Sequence, residues 1–154
     1  YPVEALTTMA SIAEHVESSI DYWKGFEAQK IVHSRNVGQA ISRACCTTAM
    51  ELDAKAIVTV TNRGITAKAV ARNRPGCPIL ALTVDERTRR LLSLVWGVET
   101  AVAPVVDSTD KLLNLARTKA WELGYVHEDD LAVVTAGIPV GVSGSTNLIK
   151  VLRF

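Results

Sequence analysis

Ala56-Ile57-Val58-Thr59-Val60-Thr61-Asn62-Arg63-Gly64-Ile65-Thr66 joins a short apolar, β-branched run to a turn of hydroxyl and glycine residues, and a helical pattern follows at once. Runs of this kind are what strands buried on both faces look like in a parallel sheet. Ile79-Leu80-Ala81-Leu82 and Leu131-Ala132-Val133-Val134 repeat the signature. Thr100-Ala101-Val102-Ala103 is a weaker strand, and Leu148-Ile149-Lys150-Val151-Leu152 reads as a final edge strand. Helical patterns occupy 65–74, 86–94 and 109–123 between them. Asp85 can cap the second of these; Ser108 can cap the third, with Gly124 at its stop. Pro75-Gly76 and Pro78 punctuate the passage into the second strand. Strand alternating with helix implies right-handed crossovers and an α/β layered domain.

Upstream of the first strand the pattern is helical. Residues 3–23 place Leu6, Ala10, Ala13, Val16 and Ile20 at three- and four-residue spacing behind Pro2. A second helix over 36–53 starts at Asn36, with Gln39 three residues on in a capping-box arrangement. Its stripe is Val37, Ala40, Ile41, Ala44, Cys45, Thr48, Ala49 and Leu52, small enough for a neighbouring element to approach closely. That stripe reads as packing under the chain's own sheet.

The 154 residues are 48% hydrophobic and 21% charged, a globular composition that excludes intrinsic disorder. The formal net charge of +1 argues against a general nucleic-acid binder or a membrane-surface binder. Apolar runs reach about five residues, far short of the ~20 that span a bilayer. The N-terminus carries an amphipathic helix pattern rather than the apolar block of a signal peptide. Three cysteines, two of them adjacent, make no disulfide framework, and a reduced, cytoplasmic setting is expected. Charge is uneven: residues 1–30 carry a net −3 and residues 61–90 a net +5. The basic segment reads as a solvated face or, with a phosphate-binding backbone nearby, as a site for a small anion.

Two loops supply such a backbone. Thr61-Asn62-Arg63-Gly64-Ile65-Thr66 is a strand–turn–helix junction that can present amides and hydroxyls to a phosphate. After the fourth strand, Gly137-Ile138-Pro139-Val140-Gly141-Val142-Ser143-Gly144-Ser145-Thr146-Asn147 suits a flexible loop closing over an oxyanion. Neither is a Walker or dinucleotide fingerprint. Together they become a site if their strands are neighbours at a topological switch point. Catalytic constellations are poor. His15, His33 and His127 have no metal-ligand spacing, Cys77 has no partner, and Glu128-Asp129-Asp130 reads as a solvated turn. Trp23, Trp96 and Trp121 read as packing residues. No catalytic residue and no metal site are expected in this chain.

At these loops the sequence resembles the C-terminal, allosteric domain of bacterial pyruvate kinases, over essentially its whole length. Ala71-Arg72-Asn73-Arg74-Pro75 with Pro78-Ile79 is similar to the family's "RYRP…PI" passage, and Leu94-Val95-Trp96-Gly97-Val98 to its "LVWGV". The run from Thr135-Ala136-Gly137 through Ser145-Thr146-Asn147 resembles "TAGVPVG…SGTTN". Tyr1-Pro2-Val3-Glu4-Ala5 resembles the segment directly after the family's SGETA motif. Residues 1–23 are therefore the expected continuation of the last helix region of a catalytic barrel, and residues 1–154 the expected C-terminal domain of a longer enzyme.

The resemblance implies a three-layer sandwich on a five-stranded, mostly parallel sheet whose last strand is antiparallel. It implies that the first and fourth strands are neighbours. It further implies a phosphorylated allosteric effector held by Thr61, Asn62, Arg63, Gly64 and Thr66. The effector loop would contribute Gly137, Gly141, Ser143, Gly144, Ser145 and Thr146. The implied partners are this effector, the enzyme's own barrel and further copies in a homo-oligomer. The parent reaction, phosphoenolpyruvate plus ADP to pyruvate plus ATP, would use Mg²⁺ and K⁺ in the barrel, with no cofactor in this chain. The alternative is a free-standing α/β phosphate-ligand-binding protein of the same fold. Two departures matter. Arg63 stands where the family usually has a hydroxyl residue before Gly64, and either adds a charge-assisted contact or fills the site. Leu112 stands near where fructose-bisphosphate-activated relatives use an arginine. AMP, ribose 5-phosphate or a hexose phosphate is thus expected rather than fructose 1,6-bisphosphate.

Overall fold

The computed structural model describes residues 1–29, 35–142 and 144–154. Five strands, β1 (Ala56–Val60), β2 (Ile79–Thr83), β3 (Val98–Val102), β4 (Leu131–Gly137) and β5 (Thr146–Arg153), form one sheet in the order β3-β2-β1-β4-β5. The first four are parallel and β5 runs antiparallel to β4. The expected fold class is thus the one observed. β1 lies between β2 and β4, so its Ile57, Val58 and Thr59 face neighbours on both sides and are completely buried. That double burial is why the run reads as apolar without alternation.

Side chains alternate between two cores. Ile57, Ile79, Ala81 and Val133 pack with Cys45, Cys46 and Ala49 of α3 (Val37–Glu51), Ala67 and Val70 of α4 (Ile65–Ala71) and Leu92 of α5 (Glu86–Leu92). Val58, Leu80, Leu82, Ala132 and Val134 face Leu112, Ala116 and Ala120 of α6 (Thr109–Glu122) on the other side. The expected stripe divides: Cys45 and Ala49, with neighbouring Cys46, go under the sheet, while Val37, Ala40, Ala44 and Leu52 stay exposed. Asn36, Asp85 and Ser108 each accept a backbone amide at the start of their helices.

The expected helix over 3–23 is two helices, α1 (Pro2–Glu17) and α2 (Tyr22–Glu27). Ser18 and Ser19 donate their hydroxyls to the His15 and Val16 carbonyls, 2.7 and 2.8 Å, and so compete with the helical ladder where α1 stops. Asp21 then caps a new helix by accepting the Lys24 amide at 2.9 Å. α2 buries Phe26, but α1 buries none of its residues, and its stripe of Leu6, Val16 and Ile20 is exposed. The helix expected over 65–74 stops at Ala71. β3 starts at Val98 rather than Thr100, and β5 at Thr146 rather than Leu148. Trp96 is half-buried, and Trp23, 40% exposed, stacks on the buried Phe26 with ring centres 6.3 Å apart, as expected of packing residues, whereas Trp121 is 52% exposed.

Thr59 and Thr135 face each other across β1 and β4, and neither buried hydroxyl has a hydrogen-bond partner among the described residues. Leaving such a group unpaired costs about 1–3 kcal/mol, whereas an apolar pair of the same shape costs little. The double variant Thr59→Val/Thr135→Val is therefore expected to melt at a higher temperature than the parent. A lower melting temperature would show that a buried water bridges the two hydroxyls.

Candidate functional site

The strand order puts the C-terminal ends of β1 and β4 side by side, and the loops that leave them converge on one cleft. Thr61, Asn62, Arg63 and Thr66 line it from one side. Gly137, Gly141, Gly144, Ser145 and Thr146 line it from the other. Gly64 is not in the lining: it sits at φ +74 as the residue before α4, with its α-carbon against Leu92. Ser143 and His33 lie outside the described residues. Apolar walls come from Val60, Ile65, Val140 and Val142, which lie in or beside the two loops but are not among the expected contacts, and from Leu112.

The donors in this cleft are of three kinds. Thr61 is held in the sheet by its amide, which donates to the Leu82 carbonyl at 2.9 Å, but the amides from Asn62 to Thr66 donate to no described residue. Thr66 and Thr146, both buried, share a hydrogen bond of 2.7 Å between their hydroxyls. One proton is used between them, which leaves the other O–H to donate. Arg63 is exposed, and its guanidinium makes no hydrogen bond or ion pair with any described residue. It is the one charged side chain among the described lining residues; no carboxylate lines the cleft. Lys68, likewise exposed, stands one turn into α4.

The opposite loop is braced. Asn147 accepts the Ile138 amide at 2.8 Å and donates its own amide to the Ile138 carbonyl at 2.7 Å. Ser145 donates its hydroxyl to the Val142 carbonyl at 2.8 Å, so toward a ligand it offers lone pairs rather than a proton. Gly137 must lack a side chain, because a Cβ there would stand 3.1 Å from the Ser145 carbonyl carbon and in collision with its hydroxyl. Thr146 belongs to β5 and Gly137 to β4, so the floor of the cleft is sheet rather than loop. The cleft holds about 50 Å³. That is well below the roughly 300 Å³ of a small-molecule pocket, so it fits an oxyanion, with the rest of a ligand lying over the mouth.

The chain resembles known proteins over this whole region. Residues 39–152 match the family model described as "Pyruvate kinase, alpha/beta domain". The chain belongs to this pyruvate kinase domain family. The pyruvate kinase of Clostridium acetobutylicum is 44% identical over 151 residues, covering 98% of this chain and 32% of that protein. The enzyme of Geobacillus stearothermophilus is 45% identical over 152 residues, 98% of this chain and 26% of the relative. A crystal structure of a pyruvate kinase from Cryptosporidium parvum superposes with a TM-score of 0.87 at 26% identity, covering 99% of this chain and 30% of that one. The chain thus spans about a third or less of the length of the relatives it matches.

Other groups singled out in the sequence do not join the cleft. His127 stands beside Asp130, whose carboxylate accepts the His127 amide at 2.7 Å, in the turn before β4. Cys45 and Cys46 are core residues. Burial pushes the Cys46 thiol up to about 12 and Cys77 up to about 11, and raises Cys45 further still, so none is a thiolate nucleophile at neutral pH. Among the described residues no three His, Cys, Asp or Glu side chains gather into a group that could hold a metal ion. No described helix is long and apolar enough to cross a membrane.

Proposed function

We propose that this chain is the regulatory and assembly domain of a cytoplasmic pyruvate kinase, and that a phosphorylated small molecule binds between loops 61–66 and 137–146. The observation that carries the reading is the convergence on one oxyanion-sized cleft of the Arg63 guanidinium and the turn amides, bonded to none of the described residues, and the Thr66–Thr146 hydroxyl pair. Amides and a guanidinium are the donors that recognise phosphate. Arg63 has no acceptor within the described chain, which favours its role as a ligand contact over that of a plug. Leu112 in the wall, 2% exposed, offers nothing to a second phosphate. AMP, ribose 5-phosphate or a hexose phosphate therefore suits the cleft better than fructose 1,6-bisphosphate.

The transfer of phosphate from phosphoenolpyruvate to ADP, with its Mg²⁺ and K⁺, is assigned to a barrel outside this chain. The exposed apolar face of α1, with Leu6, Met9, Ile12 and Val16, supports docking against that barrel. The exposed Val37, Ala40, Ala44 and Leu52 of α3 support contact with a second copy in a homo-oligomer.

Calorimetry on the chain with AMP, ribose 5-phosphate and glucose 6-phosphate tests the reading. At least one is expected to bind, fructose 1,6-bisphosphate to bind no better, and the chain to show no turnover. Absence of binding heat with all of them would overturn the assignment of the cleft. Turnover above contaminant level would overturn the division of roles.

A further inference from the structure

We propose that Trp96 ties the cleft to the N-terminal arm, so that an anion in the cleft shifts the position of α1. The inference rests on the reading of the cleft given above. One element leaves the 61–64 turn and a second packs against it, and both lead to this one indole. α4 is the first. Beyond its last residue, Asn73 and Arg74 close the helix by donating their amides to the Val70 and Ala71 carbonyls, each at 3.0 Å. Arg74 takes a left-handed conformation, φ 51, and its guanidinium carbon lies 4.4 Å from the Trp96 ring centre. The second is α5. Gly64 rests on Leu92, and the Leu92 carbonyl accepts the amide of Val95 at 2.9 Å, one residue before Trp96.

The arm holds the same indole. Trp96 Nε1 donates to Glu17 Oε1 at 3.0 Å, in the last turn of α1. The Tyr22 ring, at the start of α2, stands 5.8 Å from the Trp96 ring at 37°. Gln29, just past α2, donates its side-chain amide to the Asn73 carbonyl at 3.2 Å, tying the arm to the end of α4 a second time. α1 buries no residue of its own, so its direction is set by contacts at its C-terminal end rather than by packing along its length. A helix held at one end pivots when that hold changes. A ligand biases the pivot only by its differential affinity for the clamped and released states, and by reciprocity breaking the clamp changes ligand affinity by the same factor.

The test uses the chain with Trp23→Phe and Trp121→Phe, so that Trp96 alone emits. Inorganic phosphate and glucose 6-phosphate are titrated, with binding followed by calorimetry and Trp96 by its emission. The emission is expected to shift in step with the binding heat. Glu17→Ala and Arg74→Ala are expected to change affinity by about threefold or more, although neither residue lines the cleft. If the two tryptophan substitutions prevent folding, the difference between the parent and Trp96→Phe spectra gives the same signal. Binding heat with unchanged emission and unchanged affinity in both clamp variants would overturn the coupling while leaving the cleft assigned. No binding heat with either anion would remove the cleft reading, and the coupling with it.

Discussion

Replacing Arg63 with alanine is expected to weaken binding of a sugar monophosphate or AMP by about ten- to a hundredfold, equivalent to ~1.5–3 kcal/mol for a lost charge-assisted contact. The melting temperature should not move, because the side chain is exposed and bonds to no described residue. Arg63 is also the one charge among the described lining residues, so nothing nearby compensates for its loss. Solvent screening places the effect toward the lower end at physiological salt, and it should grow as salt is reduced. The ligand adds a pH signature. A phosphate monoester passes from dianion to monoanion near pH 6, so affinity falls as the pH is lowered from about 7 to 5, and this slope should flatten in Arg63→Ala. Thr66→Val should weaken binding by a smaller factor, since it removes one neutral donor and frees Thr146 to replace it. Calorimetry at two salt concentrations decides. Tighter binding in Arg63→Ala would mean that the guanidinium occupies the cleft in place of a ligand.

The parts of the fold that could be read from the sequence are those where burial leaves no choice of residue. β1, β2 and β4 are flanked by strands and covered on both faces, so each is written as an uninterrupted apolar run. β3 is an edge strand, and exposed Glu99 interrupts its pattern, which hid its first two residues. The break between α1 and α2 was hidden for a different reason. The apolar spacing continues through Ile20, and only the hydroxyls of Ser18 and Ser19, bonded to carbonyls of the preceding turn, mark the stop.

The cleft was legible in part. Its two loops announce themselves by glycine and hydroxyl content, yet that composition also suggested a loop where Gly137 and Thr146 are paired strand residues. Their convergence depends on β1 and β4 being neighbours, a long-range fact that no local pattern carries; it came from the family resemblance. The walls formed by Val60, Ile65, Val140 and Val142 carry no polar signal at all. α1 shows the converse case. Its amphipathic spacing states that a face is to be covered, but the described residues leave that face bare.

Gly64→Ala is expected to destabilise the chain by about 2–5 kcal/mol, adding a left-handed backbone penalty of ~1–2 kcal/mol to an overpacking cost of ~1–3 kcal/mol. For a domain of this size that lowers the melting temperature by roughly 4–20 °C. The backbone part follows from φ +74, which an L side chain resists. The packing part follows from Leu92: a Cβ on Gly64 would stand 2.9 Å from its Cδ2, 3.2 Å from its Cγ and 3.3 Å from its Cδ1. Leu92 cannot simply swing aside, because it is 1% exposed and belongs to the core beneath α3 and α4. Gly97 supplies the control. It has nearly the same backbone conformation, φ +67, with nothing within 4 Å of a built Cβ, so Gly97→Ala carries the backbone penalty alone. The excess loss in Gly64→Ala over Gly97→Ala measures the strut that Leu92 provides under the 61–64 turn. Because Arg63 and Thr66 flank Gly64, that displacement should also weaken anion binding at temperatures where the variant is fully folded. Combining Gly64→Ala with Leu92→Ala should give a loss smaller than the sum of the two single losses, since each substitution acts on the same contact. If Gly64→Ala melts no lower than Gly97→Ala, the turn does not rest on Leu92, and its geometry must be held by the sheet alone.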